Sequence, residues 1–261
     1  MGASASARAL EARERIAGLD WWHTIEVAPG VLTPGWWDLR ATASAMPWPP
    51  SLAGLRCLDI GTMDGFWAFE LERRGAGEVV ATDLVDPARQ DSPVGPGRGA
   101  SGAARGATFR VAAELLGSRA EYRDLSVYDL DPEEIGEFDL VVMGYVLQML
   151  RDPLRALEAV RSVCRGHLIL LDTVSAPLSV LPAPLARLSA RRGQTEWFVF
   201  NRRGLQRAVE LAGFEVETAT RVLRDGAGPA VAASGLSAAT RMRHALGILG
   251  RSAAVRGRVR R

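Results

Sequence analysis

The residues of this chain best equipped for chemistry lie between Cys57 and Leu84, in the string CLDIGTMDGFWAFELERRGAGEVVATDL. An apolar run ends near Asp59, a turn carries Gly61 and Gly65, a helical pattern follows to about Arg74, and a second apolar run ends in Asp83. Gly61 and Gly65 let the backbone turn tightly and approach a ligand, and the helix start beyond them offers unpaired N–H groups with partial positive charge. Asp83 lies about 20 residues past the turn, where a carboxylate can accept both hydroxyl hydrogens of a ribose. The chemistry implied is the holding of a nucleoside.

A dinucleotide would require glycine where Met63 stands, to clear room for a pyrophosphate at the helix end. Met63 and the carboxylate of Asp64 oppose a pyrophosphate and suit a ligand that carries an ammonium and a sulfonium. Charge chemistry therefore favours S-adenosylmethionine over NAD, with an NAD-dependent oxidoreductase as the alternative from another class. On the spacing Asp59-x-Gly61-x-x-x-Gly65 the chain resembles the Rossmann-like S-adenosylmethionine-dependent methyltransferases, although Met63 departs from the commoner D-x-G-x-G-x-G. Within them the string DIGTMDGFWAFELERRGA resembles the branch of tRNA wobble-uridine (carboxy)methyltransferases, over about residues 21–222.

That resemblance implies roles position by position. Asp59 and Gly61, with Thr62, Met63 and Gly65 in the same turn, would hold the amino-acid end of the cofactor. Asp83 and Leu84 would hold the ribose, and Ser126 and Val127 the adenine. Gly144 and the segment Tyr145 to Gln148 would face the methyl-transfer centre. The branch that uses carboxy-S-adenosylmethionine reads V-L-Y-H where this chain has Val146-Leu147-Gln148-Met149, and the chain has no lysine to contact an extra carboxylate. Ordinary methyl transfer to a small molecule, such as a secondary metabolite, is the expectation, with tRNA modification as the alternative.

Methyl transfer from a sulfonium is an in-line displacement, so positioning dominates and a base is needed only to take a proton from oxygen or nitrogen. His23 is the candidate base, because it sits in a tryptophan-rich N-terminal segment able to fold over the site. Its bland reading is a helix-end histidine. Trp22, Trp37 and Trp197 are candidate walls for the acceptor, with lid packing as their structural explanation. Asn201 could orient an acceptor, but helix capping already accounts for it.

Apolar runs and helical patterns alternate from Arg56: RCLDI, EVVAT, AEYRDL, FDLVVMG and GHLILLD as strands, with helices between. Such alternation predicts an α/β fold, a doubly wound and mostly parallel seven-stranded sheet with an N-terminal helical, tryptophan-rich lid. The expected division is 1–50 as N-terminal helix and lid, 51–235 as the cofactor domain with a lid insertion at 173–195, and 236–261 as a solvated basic tail. Ser6 is the expected cap of a first helix buried through Leu10, Ile16 and Leu19. Residues 86–107 read as a mobile loop, and GPAVAAS reads as a last strand in hairpin with FEVETATRV.

The bulk numbers exclude more than they assign. All 32 basic residues are arginine against 30 acids, a net charge of +2 that announces neither nucleic acid nor membrane. Only the tail, with Arg241, Arg243, Arg251, Arg256, Arg258, Arg260 and Arg261, offers a basic surface, and it lacks aromatic residues for stacking on bases. Cys57 and Cys164 are too isolated for a disulfide framework, no His/Cys spacing predicts a metal, and no apolar run suggests export or membrane insertion. The first six residues match a myristoylation pattern, for which chance is the better account. A cytoplasmic enzyme is expected, with homo-oligomerisation left open.

Overall fold

A computed structural model describes residues 2–91, 106–189, 195–234 and 251–260. Seven strands form the central sheet: β1 (Arg56–Ile60), β2 (Glu78–Asp83), β3 (Glu121–Asp124), β4 (Phe138–Gly144), β5 (Cys164–Thr173), β6 (Phe214–Ala219) and β7 (Arg251–Val259). Their order is β6-β7-β5-β4-β1-β2-β3, with the short segment Leu223–Arg224 also pairing with β7. Every pair from β5 to β3 is parallel, whereas β7 runs antiparallel to both β5 and β6. The chain winds outward from β1 to β3, then returns to the other side of β1 with β4. The reversal opens a crevice beyond the carboxyl ends of β1 and β4, the place where open α/β sheets bind ligands.

Among the described residues, eight helices accompany the sheet: α1 (Gly2–Ile16), α2 (Arg40–Ala45), α3 (Phe66–Arg73), α4 (Ala107–Leu116), α5 (Pro132–Ile135), α6 (Pro153–Val163), α7 (Arg202–Leu211) and α8 (Pro229–Ala233). Alternate strand residues feed two separate cores, since successive side chains of a strand point to opposite faces. Leu58, Ile60, Val141, Met143, Leu168 and Leu170 join Leu157 and Val160 of α6 and Leu205 and Val209 of α7. Cys57, Val79, Leu140, Val142, Ile169 and Leu171 join Trp67 and Leu71 of α3, Phe109 of α4 and Ile16 of α1. Both faces are therefore covered, which is why the central strands are continuously apolar. Local signals set the helix starts: Asp152 accepts from Arg155 N ahead of Pro153, and Asn201 accepts from Gly204 N at 2.7 Å.

Several expectations are corrected. The helix α1 begins before Ser6, so Ser6 is not its cap, and Leu10 is 58% exposed while Ala12 and Ile16 are buried. The N-terminal segment is a packed part of the core more than a cover, with Trp21, Ile25, Val27, Val31 and Leu39 all buried against the α3 and α4 face. GPAVAAS forms α8, because Pro229 at its first turn favours a helix start. The antiparallel partner of β6 is instead β7, drawn from the expected tail. A solvated tail from 236 therefore does not hold for 251–259: Ser252, Ala253, Ala254 and Val255 are buried in a strand that pairs with β5 on one side and with β6 and Leu223–Arg224 on the other. Arg241, Arg243 and Arg261 lie outside the described residues, as does most of the expected mobile loop.

Candidate active site

The crevice is a cavity of about 790 Å³ at the carboxyl ends of the parallel strands. Its floor is the turn after β1. Gly61 N and Thr62 N both donate to Thr82 O of β2, at 2.8 and 3.0 Å, folding the turn onto the neighbouring strand end. Gly61 has φ +74°, and a Cβ there would lie 2.3 Å from Val146 Cγ2, so the turn and the β4 loop approach too closely for any side chain. Two non-glycine residues occupy the left-handed region, Met63 at φ 49° and Tyr145 at φ 59°, one in each of these two facing loops. Such backbone strain costs of order 1–3 kcal/mol each and concentrates at ligand sites.

Asp83 ends β2 on the cavity wall. Its Oδ2 accepts from Met63 N at 2.7 Å and its Oδ1 from Leu84 N at 2.7 Å, which ties the strand end to the glycine turn. Beyond it Leu84, Ser126 and Val127 line the same end of the cavity, with Ser126 Oγ accepting from Tyr128 N and so fixing the loop after β3. Gly144 lines the opposite side, and a Cβ there would lie 2.5 Å from Trp67 Nε1.

At the other end stand Trp22, His23, Trp37, Tyr145 and Gln148, all on the cavity wall. His23 is buried beside Phe66, with ring centroids 5.6 Å apart, and burial pulls its pKa down to about 3. Its imidazole is therefore neutral at physiological pH, and its buried Nδ1 has no hydrogen-bond partner. Gln148 is 8% exposed, and its Oε1 is likewise buried without a partner. Its backbone is firmly held, with Gln148 N donating to Asp172 Oδ2 and Gln148 O accepting from Trp197 N. Desolvation raises Asp172 to about 7.

Five expected site residues lie off the cavity wall. Asp59 is fully buried beneath the turn, where its Oδ2 accepts from Ala68 N of α3 at 3.0 Å and burial lifts its pKa to about 7. Thr62 is buried, and Gly65 starts α3 at φ 93° packed against Phe69 and Phe109. Trp197 donates from Nε1 to Asp91 O and stacks beneath the Arg151 guanidinium, bracing the cavity rim from outside. Asn201 is buried at the start of α7, where it accepts from Leu185 N and donates to Leu178 O and Ala183 O. The capping explanation suffices for it.

Asp64 overturns part of the charge argument made from the sequence. It does not line the cavity; its Oδ2 accepts from Trp22 N at 2.5 Å and His23 N at 2.7 Å, and its Oδ1 from the Thr108 hydroxyl at 2.7 Å. Burial raises it to about 6. Its work is to pin the N-terminal segment onto the glycine turn, so the case against a pyrophosphate rests on Met63 alone. The sequence also missed Asp225 and Arg251, which line the same cavity from segments distant in the chain. Asp225 reaches it because Gly226–Ala227 pairs with Trp37–Asp38.

A family model described as a methyltransferase domain matches residues 36–219. The chain belongs to that family. No curated protein matches it. Among solved structures it is similar to the YcgJ protein of Bacillus subtilis, with 13% identity, TM-score 0.56 and coverage of 85% of this chain and 98% of that one. It is similar also to the 1,6-didemethyltoxoflavin-N1-methyltransferase of Burkholderia thailandensis, solved with 1,6-didemethyltoxoflavin and S-adenosylhomocysteine bound, with 16% identity, TM-score 0.52 and coverage of 80% and 72%. The [4+2]-cyclase SpnF matches with 18% identity, TM-score 0.53 and coverage of 84% and 79%. These likenesses establish the doubly wound fold, and the family membership removes the oxidoreductase alternative. No helix among the described residues is long and apolar enough to cross a membrane.

Proposed function

We propose that the protein transfers a methyl group from S-adenosylmethionine to a small-molecule acceptor bound in the same cavity. S-adenosylmethionine is the cofactor; it supplies an electrophilic methyl on a sulfonium, and the protein's own residues bind, orient and exclude water. The observation that carries the reading is Asp83, whose carboxylate sits on the cavity wall while clamping the glycine turn through Met63 N. Ribose hydroxyls are assigned to Asp83, with Leu84 beside it. Gly61 and Met63 take the amino-acid end, while Ser126 and Val127 flank the adenine. Gly144 leaves the middle of the cavity open. Asp59, Thr62 and Gly65 shape the turn from below without touching the ligand.

The acceptor occupies the end bounded by Trp22, His23, Trp37, Tyr145 and Gln148. The relative from Burkholderia thailandensis holds a small acceptor and S-adenosylhomocysteine together, and a cavity near the upper end of the usual range for ligand sites has room for two such molecules. A tRNA substrate finds less support: Arg256, part of the expected basic tail, pairs with Glu217 on the sheet and caps Pro47 O and Trp48 O. SpnF shows why the fold alone would not suffice, since a relative named as a cyclase shares it. Titration calorimetry with S-adenosylhomocysteine tests the cofactor assignment. The Asp83→Ala variant should bind it with about 1.5–3 kcal/mol less free energy, the value of hydrogen bonds to a charged group, and unchanged affinity removes the ribose from Asp83.

A further inference from the structure

Asp225 is 5% exposed and collects three hydroxyl hydrogen bonds on one oxygen. Tyr145 Oη donates to its Oδ1 at 2.6 Å, Ser252 Oγ at 2.8 Å and Thr42 Oγ1 at 2.9 Å. The donors come from the loop after β4, from β7 and from α2, so the carboxylate is fixed from three sides. Burial pushes its carboxyl above the ordinary carboxylate value, and the three donated hydroxyls pull it back. All three fall on Oδ1, so none of them occupies Oδ2, and the residue lines the cavity.

We propose that Asp225 is a specificity-determining residue, selecting a methyl acceptor that presents a hydroxyl or N–H hydrogen to Oδ2 from a flat apolar body held against Trp22 and Trp37. The inference rests on the methyltransferase reading of the site. An acceptor bearing only ether, ester or other hydrogen-free groups would cover that oxygen without giving it a donor, which is costly, so such an acceptor is disfavoured. Tyr145, Ser252 and Thr42 act as positioning residues that hold the carboxylate in one orientation.

The test compares two probes of matched shape, 2-naphthol and 2-methoxynaphthalene, on protein saturated with S-adenosylhomocysteine at mildly alkaline pH. The wild type should bind 2-naphthol at least about tenfold more tightly, the lower end of what a hydrogen bond to a charged group contributes. In Asp225→Asn the three hydroxyls keep the amide oxygen on their side, which turns the Nδ2 hydrogens to the cavity. The preference should then fall to about twofold or less, with S-adenosylhomocysteine affinity retained. Equal binding of the two probes to the wild type overturns the proposal, whether or not the variant folds, as does failure of both to bind. A preference that survives in Asp225→Asn overturns it too, assigning the donor to another acceptor such as Gln148. Failure of the wild type to bind S-adenosylhomocysteine, by contrast, defeats the underlying methyltransferase reading.

Discussion

Replacing Asp64 tests how the Trp22–His23 side of the cavity is attached to the glycine turn. Asp64→Ala strands the backbone N–H groups of half-buried Trp22 and buried His23, and the Thr108 hydroxyl. Each buried donor left unpaired costs about 1–3 kcal/mol, so a loss of about 3–6 kcal/mol is expected once partial relaxation and entry of water are allowed for. Asp64→Asn should be far milder. Both N–H groups already fall on one oxygen, which the amide keeps, and the Thr108 hydroxyl can turn to accept from the amide nitrogen.

The pH dependence separates the two forms of the argument. The folded pKa of Asp64, about 6, lies above its ordinary 3.8. Its contribution to stability is therefore complete below about 3.8 and lost as pH rises through about 6. A shift of about two units corresponds to about 3 kcal/mol, so Asp64→Asn, which cannot ionise, should gain by that amount relative to wild type between acid and neutral pH. Urea unfolding followed by tryptophan fluorescence at several pH values reads both effects. Equal stability of wild type and Asp64→Ala, or equal damage from Ala and Asn, would refute the reasoning.

Other perturbations reach other parts of the account. Gly61→Ala should lose at least about 2 kcal/mol from its left-handed backbone and the Val146 contact, and the double variant with Val146→Ala should recover part of that loss in thermal unfolding. His23 is held neutral, with its folded pKa near 3 against an ordinary 6.5. Protonation in that window destabilises the fold, and its imidazole NMR signals should not titrate between about pH 5 and 8; a His23 midpoint near 6.5 contradicts its burial. Deleting residues 251–261 should abolish folding, as seen by circular dichroism and solubility, because it removes a strand between β5 and β6; a soluble, folded truncation would restore the view of these residues as a tail.

The parallel half of the sheet was legible because each strand is a short apolar run bounded by turn residues, and Asp152 and Asn201 announce their helices by local capping chemistry. The seventh strand was hidden. Arg251, Arg256 and Arg258 gave RSAAVRGRV the look of a basic terminus, while its buried stretch is built from Ser252, two alanines and Val255. Their burial depends on the flanking strands β5 and β6, which no local period reveals. At the site, the glycine turn and the place of Asp83 at the end of β2 were legible because turn geometry and the acid spacing are local, whereas the burial of Asp59, Thr62 and Gly65 beneath the cavity wall was not. Asp64 was misassigned because sequence adjacency to Met63 does not fix where its side chain goes. The Asp225 cluster was invisible for a related reason, since Thr42, Tyr145, Asp225 and Ser252 meet only after β7 has entered the sheet.

A crystal structure of the protein grown with S-adenosylhomocysteine would show where the nucleoside binds. The ligand should lie across the glycine turn, its ribose hydroxyls within hydrogen-bond distance of Asp83 and its sulfur directed toward Tyr145 and Asp225. Density for the nucleoside elsewhere on the protein, or the carboxylate of Asp83 turned away from the ribose, would contradict that placement.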